Sequence, residues 1–101
     1  MPLFSFAGKR PTHLGVEASR LAPCPSSPNC VSSDAADSTH SVAAFALAIP
    51  SRKAWLAVRR TVESLPRTKI ISETSDYLHA ECTSAVFGFV DDLELHLRVA
   101  E

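Results

Sequence analysis

The chain has 101 residues, which is room for one small domain. Hydrophobic residues make up 46% of it and charged residues 21%, an ordinary globular composition that excludes wholesale disorder. The formal net charge of -1 argues against a field strong enough to bind nucleic acid or a membrane surface, so neither partner is expected.

No transmembrane segment is expected, because the longest apolar run, residues 42–49, is far shorter than the roughly 20 residues that span a bilayer. The first ten residues lack the pattern of a secretory signal. The sequence therefore predicts a cytoplasmic protein.

Residues 1–41 are predicted to form an irregular arm. Five of the seven prolines and two of the three glycines lie there, without helical or strand spacing of the apolar residues. The densest part, residues 24–30, predicts a stiff loop between Cys24 and Cys30. These cysteines could close a disulfide worth roughly 2 kcal/mol, stay free thiols or, less in keeping with their spacing, bind a metal. The sequence leaves the first two alternatives open.

Residues 42–101 are predicted to form a small α+β domain. The apolar run 42–49 indicates a buried strand, Pro50 ends it, and Ser51 is placed to cap a helix that Pro66 terminates. The helix is amphipathic, with basic residues on the face opposite its apolar stripe. That stripe consists of Ala54, Trp55, Val58, Thr61, Val62 and Leu65.

Four strand-like segments follow the helix, at residues 69–73, 76–82, 85–90 and 93–99. Thr74-Ser75 and Thr83-Ser84 suit hairpin connections. A single bent strand over residues 85–99 fits the alternation equally well and would place Asp91 on the apolar face. The predicted fold is one helix packed on a mostly antiparallel sheet, in the order β-α-β-β-β, after an irregular Pro-rich arm.

The predicted polar face of the sheet carries candidate metal ligands. His79 and Glu81 share one face of their strand, as do Glu94 and His96 on another. If the two strands pair in a suitable register, two imidazoles and two carboxylates cluster, a set that suits a divalent transition metal. The same pattern is also ordinary for the solvent-facing side of a sheet. Cys82 alternates with core positions and is predicted to be a small core residue.

Charge is segregated along the chain. Basic residues dominate from Arg52 to Lys69, and a face around Arg59 and Arg60 could contact RNA, although no interleaved aromatic residue or nucleic-acid motif accompanies it. Acidic residues dominate the C-terminal part. Among them Asp91, Asp92 and Glu94 form a candidate binding site for a cation, with a structural turn as the alternative.

Several motifs together resemble one known family. They are LAPCPSSPNCVSS at residues 21–33, His40, Trp55, YLHAE at residues 77–81 and FGFVDDLE at residues 87–94. In this order they resemble the domain-of-unknown-function family fourteen-ninety-nine, found in bacteria and in plant plastids. The resemblance implies an α+β domain without an established activity. Many relatives are exported or membrane-attached, whereas this chain shows no such segment.

The resemblance also implies a C-terminal truncation. Family members typically continue past the acidic strand into another strand and helix, with an Arg-Ser-x-Ser-Arg segment and a Gly-x-x-Asp-x-Gly-x-Asn-Arg-like run. The missing arginines would be partners for Asp91, Asp92 and Glu94, and the missing strand would cover a sheet edge. The uncovered edge predicts a protein partner or self-association.

The sequence therefore predicts a small, non-catalytic binding or accessory module without a cofactor, in a truncated copy of its family. The alternative is a metal-binding protein or metal-dependent enzyme that uses His79, Glu81, Glu94 and His96.

Overall fold

The structure, a computed structural model, describes residues 14–24 and 30–98. Two short strands, β1 (Val16–Glu17) and β2 (Arg20–Leu21), form an antiparallel hairpin. The helix α1 (Ser51–Ser64) is followed by an antiparallel sheet of β3 (Thr68–Glu73), β4 (Tyr77–Thr83) and β5 (Val90–His96), in the spatial order β3-β4-β5. The predicted α+β class is confirmed.

The helix packs on the apolar face of the sheet. On its inner side Ala54, Trp55 and Val62 are buried, while Leu56 is 55% exposed on the outer side. From β4, Leu78 and Ala80 face them with no exposed surface. Their neighbours on β5 and just beyond complete the core, namely Leu93, Leu95 and Leu97. The predicted alternation of β4 and β5 thus builds one side of the core.

Two details of the predicted helix are wrong. Pro50 is the residue before the first helical turn and no side chain caps it, so Ser51 begins the helix instead of capping it. Leu65 has left the helix in an extended conformation and is 41% exposed, and Thr61 is also exposed. Pro66 accounts for this early end, because the residue before a proline is biased away from helical backbone angles.

The strand predicted at residues 42–49 is not formed, so the first element of the predicted order is wrong. This segment is exposed throughout, with Phe45 at 91% and Val42 at 48%. Four of its eight residues are alanine, which offer little apolar area to bury. Within the described residues, the nearest β-type contact is an isolated bridge between Ser32 and Ser41, the residue just before the segment.

The strand predicted at residues 85–90 is replaced by a loop. The amide of Ser84 donates to the Phe89 carbonyl over 2.8 Å, and the Phe89 amide donates to Ser84 Oγ over 2.9 Å. Gly88, at a φ of 69°, allows the chain to turn between them. The last strand consequently begins at Val90 and ends at His96, earlier than the predicted 93–99, while Val99 lies outside the described residues.

The hairpin predicted at Thr74-Ser75 is confirmed. The amide of Thr74 donates to the Tyr77 carbonyl over 2.8 Å and closes the turn between β3 and β4. The register of these strands shifts between Ile70 and Ser72, which marks a bulge at Ile71.

The arm contains the β1–β2 hairpin, where the sequence predicted only irregular structure. Ala18 and Ser19 form its turn with φ of 53° and 62°. Arg98, just after β5, donates to the Ser19 carbonyl over 3.2 Å and so ties the hairpin to the sheet. A disulfide joins Cys24 and Cys30, whose Cα atoms are 5.7 Å apart. In the described part of the chain, the structure has no helix of the length and apolar character that crossing a membrane requires.

Candidate metal centre

Six polar side chains line the sheet face opposite the helix. Cross-strand partners lie on the same face of a sheet, and the register of β4 and β5 makes three such pairs. These pairs are Tyr77 with His96, His79 with Glu94, and Glu81 with Asp92. Because successive side chains of a strand point to opposite faces, all six point away from the apolar core.

Side chains of β4 on this face contact β5 diagonally. Tyr77 Oη donates to Glu94 Oε2 over 2.7 Å, and His79 Nε2 lies 2.7 Å from Asp92 Oδ1. Each contact reaches the β5 residue two positions before the direct partner. Sheet twist brings one diagonal closer than the other, which explains the repeated offset. His79 consequently meets Asp92 instead of its direct partner Glu94.

The diagonal contact produces a compact group of potential metal ligands. One donor atom from each of His79, Glu81 and Asp92 lies within 4.8 Å of the others. His79 is only 5% exposed, and the Asp92 side chain is 18% exposed. One imidazole and two carboxylates form a donor set suited to Zn²⁺, Fe²⁺ or Mn²⁺.

Glu94 is engaged by the arm and by Tyr77. Its Oε2 accepts hydrogen bonds from Tyr77 Oη at 2.7 Å and from the Gly15 amide at 2.8 Å. Burial and the neighbouring Glu94 carboxylate raise the pKa of Tyr77, which keeps the phenol protonated as a donor. Glu94 therefore anchors the arm and does not join the ligand group.

His96 also lies outside the ligand group. Its Nε2 is 3.9 Å from Asp76 Oδ2, and its buried Nδ1 has no hydrogen-bond partner within the described ranges. Of the four ligands predicted from the sequence, the structure brings together His79 and Glu81. Asp92 completes the group instead of Glu94 and His96, because His79 contacts β5 two positions away from its direct partner.

The predicted acidic site is divided between the two faces of the sheet. Asp91 lies opposite Cys82 on the helix side of β5 and is exposed. Asp92 and Glu94 lie on the polar face, where they bond to His79 and to the arm respectively. The three carboxylates therefore do not converge on one ligand.

Asp34 is a buried, ion-paired residue that the sequence did not indicate. Its side chain is 4% exposed and accepts hydrogen bonds from the Leu21 amide at 3.0 Å and from Arg98, with Arg20 3.7 Å away. Burial alone would raise the pKa of Asp34, but the Leu21 amide and Arg98 outweigh it, and the pKa falls below its usual value. Its partners are 13 and 64 positions away, so no local pattern reveals them.

Two of the four basic residues of the helix are paired within the domain. Arg59 binds both carboxylate oxygens of Glu73 at 2.7 Å and reaches Glu63 at 2.9 Å. These hydrogen bonds raise the pKa of Arg59 above its usual value. Arg52 donates to the Ser75 carbonyl over 2.8 Å. These guanidinium groups link the helix to β3 and to the turn that follows it.

Comparison with known proteins identifies the family of the chain but no individual relative. No curated protein and no solved structure matches it significantly. A family described as "Protein of unknown function (DUF1499)" matches residues 20–101, a range that includes β2, the helix and the whole three-stranded sheet. This match confirms the resemblance carried by the sequence motifs. The chain belongs to the DUF1499 family of proteins of unknown function.

Proposed function

We propose that the domain is a metal-binding module that holds one divalent transition-metal ion through His79, Glu81 and Asp92. The observation that carries the proposal is the convergence of their three donor atoms within 4.8 Å of one another on one sheet face. The proposal keeps the non-catalytic binding module expected from the sequence and gives it a ligand. It also retains the metal alternative, with a different set of ligands.

Rigid elements support the proposed site. All three ligands lie on β4 and β5, which pair over their whole length in one continuous register. The hydrogen bond between His79 and Asp92 holds the imidazole and one carboxylate next to each other before an ion arrives. A preorganised pair of this kind lowers the conformational entropy that metal binding must overcome.

Electrostatics favours a dication at this place. Glu81 and Asp92 are direct cross-strand partners, and like charges in that arrangement destabilise a sheet. On the other side of β4, Lys69 is the direct partner of Glu81. A divalent ion between the two carboxylates would relieve their repulsion more fully than one flexible ammonium group.

The donor set also predicts which ions are preferred. An imidazole ligand suits Zn²⁺ and Fe²⁺, whereas Mg²⁺ and Ca²⁺ prefer oxygen donors alone. The thiol of Cys82 is on the opposite face of the sheet, so it supplies no soft ligand. We therefore expect Zn²⁺ to bind much more tightly than Mg²⁺.

The test is calorimetric titration of the metal-free protein with Zn²⁺ and with Mg²⁺. We expect one Zn²⁺ per chain and Mg²⁺ affinity at least about 100-fold weaker. Asp92→Asn should weaken Zn²⁺ binding by about 100-fold or more, since loss even of an outer partner of a metal ligand costs about 10- to 100-fold. Asp91→Asn is the matched control, because Asp91 is the adjacent residue on the other face. It should bind Zn²⁺ like the wild type.

Three outcomes would overturn the proposal: no Zn²⁺ binding by the wild type, equal affinity for Mg²⁺, or an equal loss in Asp91→Asn and Asp92→Asn. Circular dichroism shows whether each variant folds. If Asp92→Asn does not fold, Glu81→Gln provides the same test from β4. His96→Gln separates the two ligand sets, because Zn²⁺ affinity falls in this variant only if His96 is a ligand.

A further inference from the structure

Within the described residues, the arm is fastened to the sheet at Glu94 and at Arg98, which also donates to the Ser19 carbonyl. At the first, the Gly15 amide binds Glu94, which lies directly opposite His79. At the second, Asp34 accepts hydrogen bonds from Leu21 and from Arg98, which follows β5. The arm therefore lies beside the metal ligands, and Asp34 connects its two halves to the sheet.

The Asp34 contact closes a loop within the arm itself. Leu21 and Asp34 are 13 positions apart in the sequence. The disulfide spans six of these positions and lies wholly between the two contact residues. It therefore shortens the path from Leu21 to Asp34 to about seven positions.

A shorter path makes the Asp34 contact easier to form. The free-energy cost of closing a loop grows as about (3/2)RT times the natural logarithm of its length. Shortening the loop from 13 to about seven positions therefore raises the equilibrium constant for closing the Asp34 contact by about 2.5-fold. Both cysteines are partly exposed, so a reductant can reach the bond.

We propose that the Cys24–Cys30 disulfide controls how tightly the arm closes beside the metal site, and that opening the bond speeds metal release. The inference rests on the proposed function for the identity of the site. In the redox step, a dithiol attacks one sulfur and the S–S bond breaks. Cys24 and Cys30 gain two electrons and two protons as thiols, while the dithiol is oxidised to its own disulfide.

Amide exchange at Leu21 tests the arm without any metal. This amide donates to Asp34, so its exchange rate reports opening of the contact. On addition of dithiothreitol to the full chain, we expect exchange about 2.5-fold faster, from the change in loop length. In Asp34→Ala, which removes the acceptor, the response to reductant should disappear. Cys82→Ser is the matched thiol control and should keep the full response, because Cys82 is the free cysteine on β4.

Metal release is measured separately, because dithiols themselves bind Zn²⁺. The Zn²⁺-loaded wild type and the Cys24→Ser/Cys30→Ser variant are each mixed with excess chelator, and release should be about 2.5-fold faster in the variant. A protein that binds no Zn²⁺ overturns the proposed function, while exchange at Leu21 still tests the arm. Exchange or release that is equal with and without the disulfide overturns the inference. So does a response to reductant that persists in Asp34→Ala.

Discussion

Asp34 shows how one buried carboxylate can organise distant parts of a small domain. Its side chain is 4% exposed and holds the backbone of Leu21 and the guanidinium of Arg98. A buried charge is stable only when it is paired and hydrogen-bonded, and both conditions are met here. The arm is therefore attached to the sheet through the ionised form of this residue.

Ionisation of Asp34 predicts a specific acid sensitivity. Its pKa is lowered on folding from an ordinary value of 3.8, so it stabilises the fold above that pH and loses this contribution as the pH falls through the lowered value. At neutral pH, Asp34→Asn should lower the free energy of unfolding by about 1–2 kcal/mol. Urea unfolding of both proteins at pH 7 and near pH 3 measures the difference.

The difference between wild type and Asp34→Asn should shrink in acid, because the wild type then loses the same charge. Other carboxylates titrate in both proteins, and their effects cancel in the comparison. A difference that stays constant from pH 7 to about pH 3 would contradict the role given to the Asp34 carboxylate.

At the scale of elements, the β1–β2 hairpin is held together despite an unfavourable turn. Ala18 and Ser19 both have positive φ, the conformation of a type I′ turn, for which asparagine and glycine are the usual residues. Residues with a Cβ atom pay roughly 1 kcal/mol or more in this region. The hydrogen bond from Arg98 to the Ser19 carbonyl helps to hold the turn.

Replacing this turn by Asn-Gly should stabilise the hairpin. In Ala18→Asn/Ser19→Gly we expect a gain of about 1 kcal/mol, because the new residues adopt positive φ at lower cost. The Ala22 amide donates to the Gly15 carbonyl across the hairpin, so its exchange should slow about fivefold. Ala18→Val is the opposing control and should accelerate exchange, since a β-branched residue resists this conformation. Slower exchange in the valine variant would show that the turn is not strained.

The helix and β4 illustrate which elements follow from local sequence. The apolar spacing of Ala54, Trp55 and Val62 and the alternation of β4 each bury the residues that they predict to be buried. The strand predicted at residues 42–49 does not form, because apolar residues alone do not provide a neighbouring strand to pair with. The strand predicted at residues 85–90 does not form because Ser84 and Phe89 bond to each other and close a loop, a contact that apolar alternation does not reveal.

At the scale of the whole molecule, the core is small. Within the described residues it consists of one helix face on one sheet face, and its buried hydrophobic residues are few. A domain of this size buries only about 60% of the surface that its unfolded chain exposes, so its net stability is marginal. Each fully buried side chain therefore carries a large share of the stability.

Leu78 should be the most sensitive core position. Among the described residues it is the largest side chain without any exposed surface, and Leu78→Ala should lower the free energy of unfolding by about 2–5 kcal/mol. Leu56→Ala is the matched control, because Leu56 is 55% exposed, and its effect should stay within about 0.5 kcal/mol. Chemical denaturation monitored by Trp55 fluorescence measures both. Equal losses in the two variants would mean that the helix does not cover this face of the sheet.

One expectation from the sequence stays a prediction, namely self-association or a protein partner at an uncovered sheet edge. In the described part of the molecule, β3 and β5 are the outer strands of the sheet. Light scattering on the full chain would test whether it self-associates.

The sequence by itself determined the family, the α+β class, the helix and the division of β4 and β5 into an apolar and a polar face. These properties depend on the spacing of residues within a single segment, which can be read directly from the sequence. Only the tertiary structure decided that Asp92, and not Glu94 or His96, joins His79 and Glu81. That choice depends on strand register and sheet twist, and the Asp34 contact depends on residues up to 64 positions apart. Both are relations between segments, which no spacing within one segment encodes.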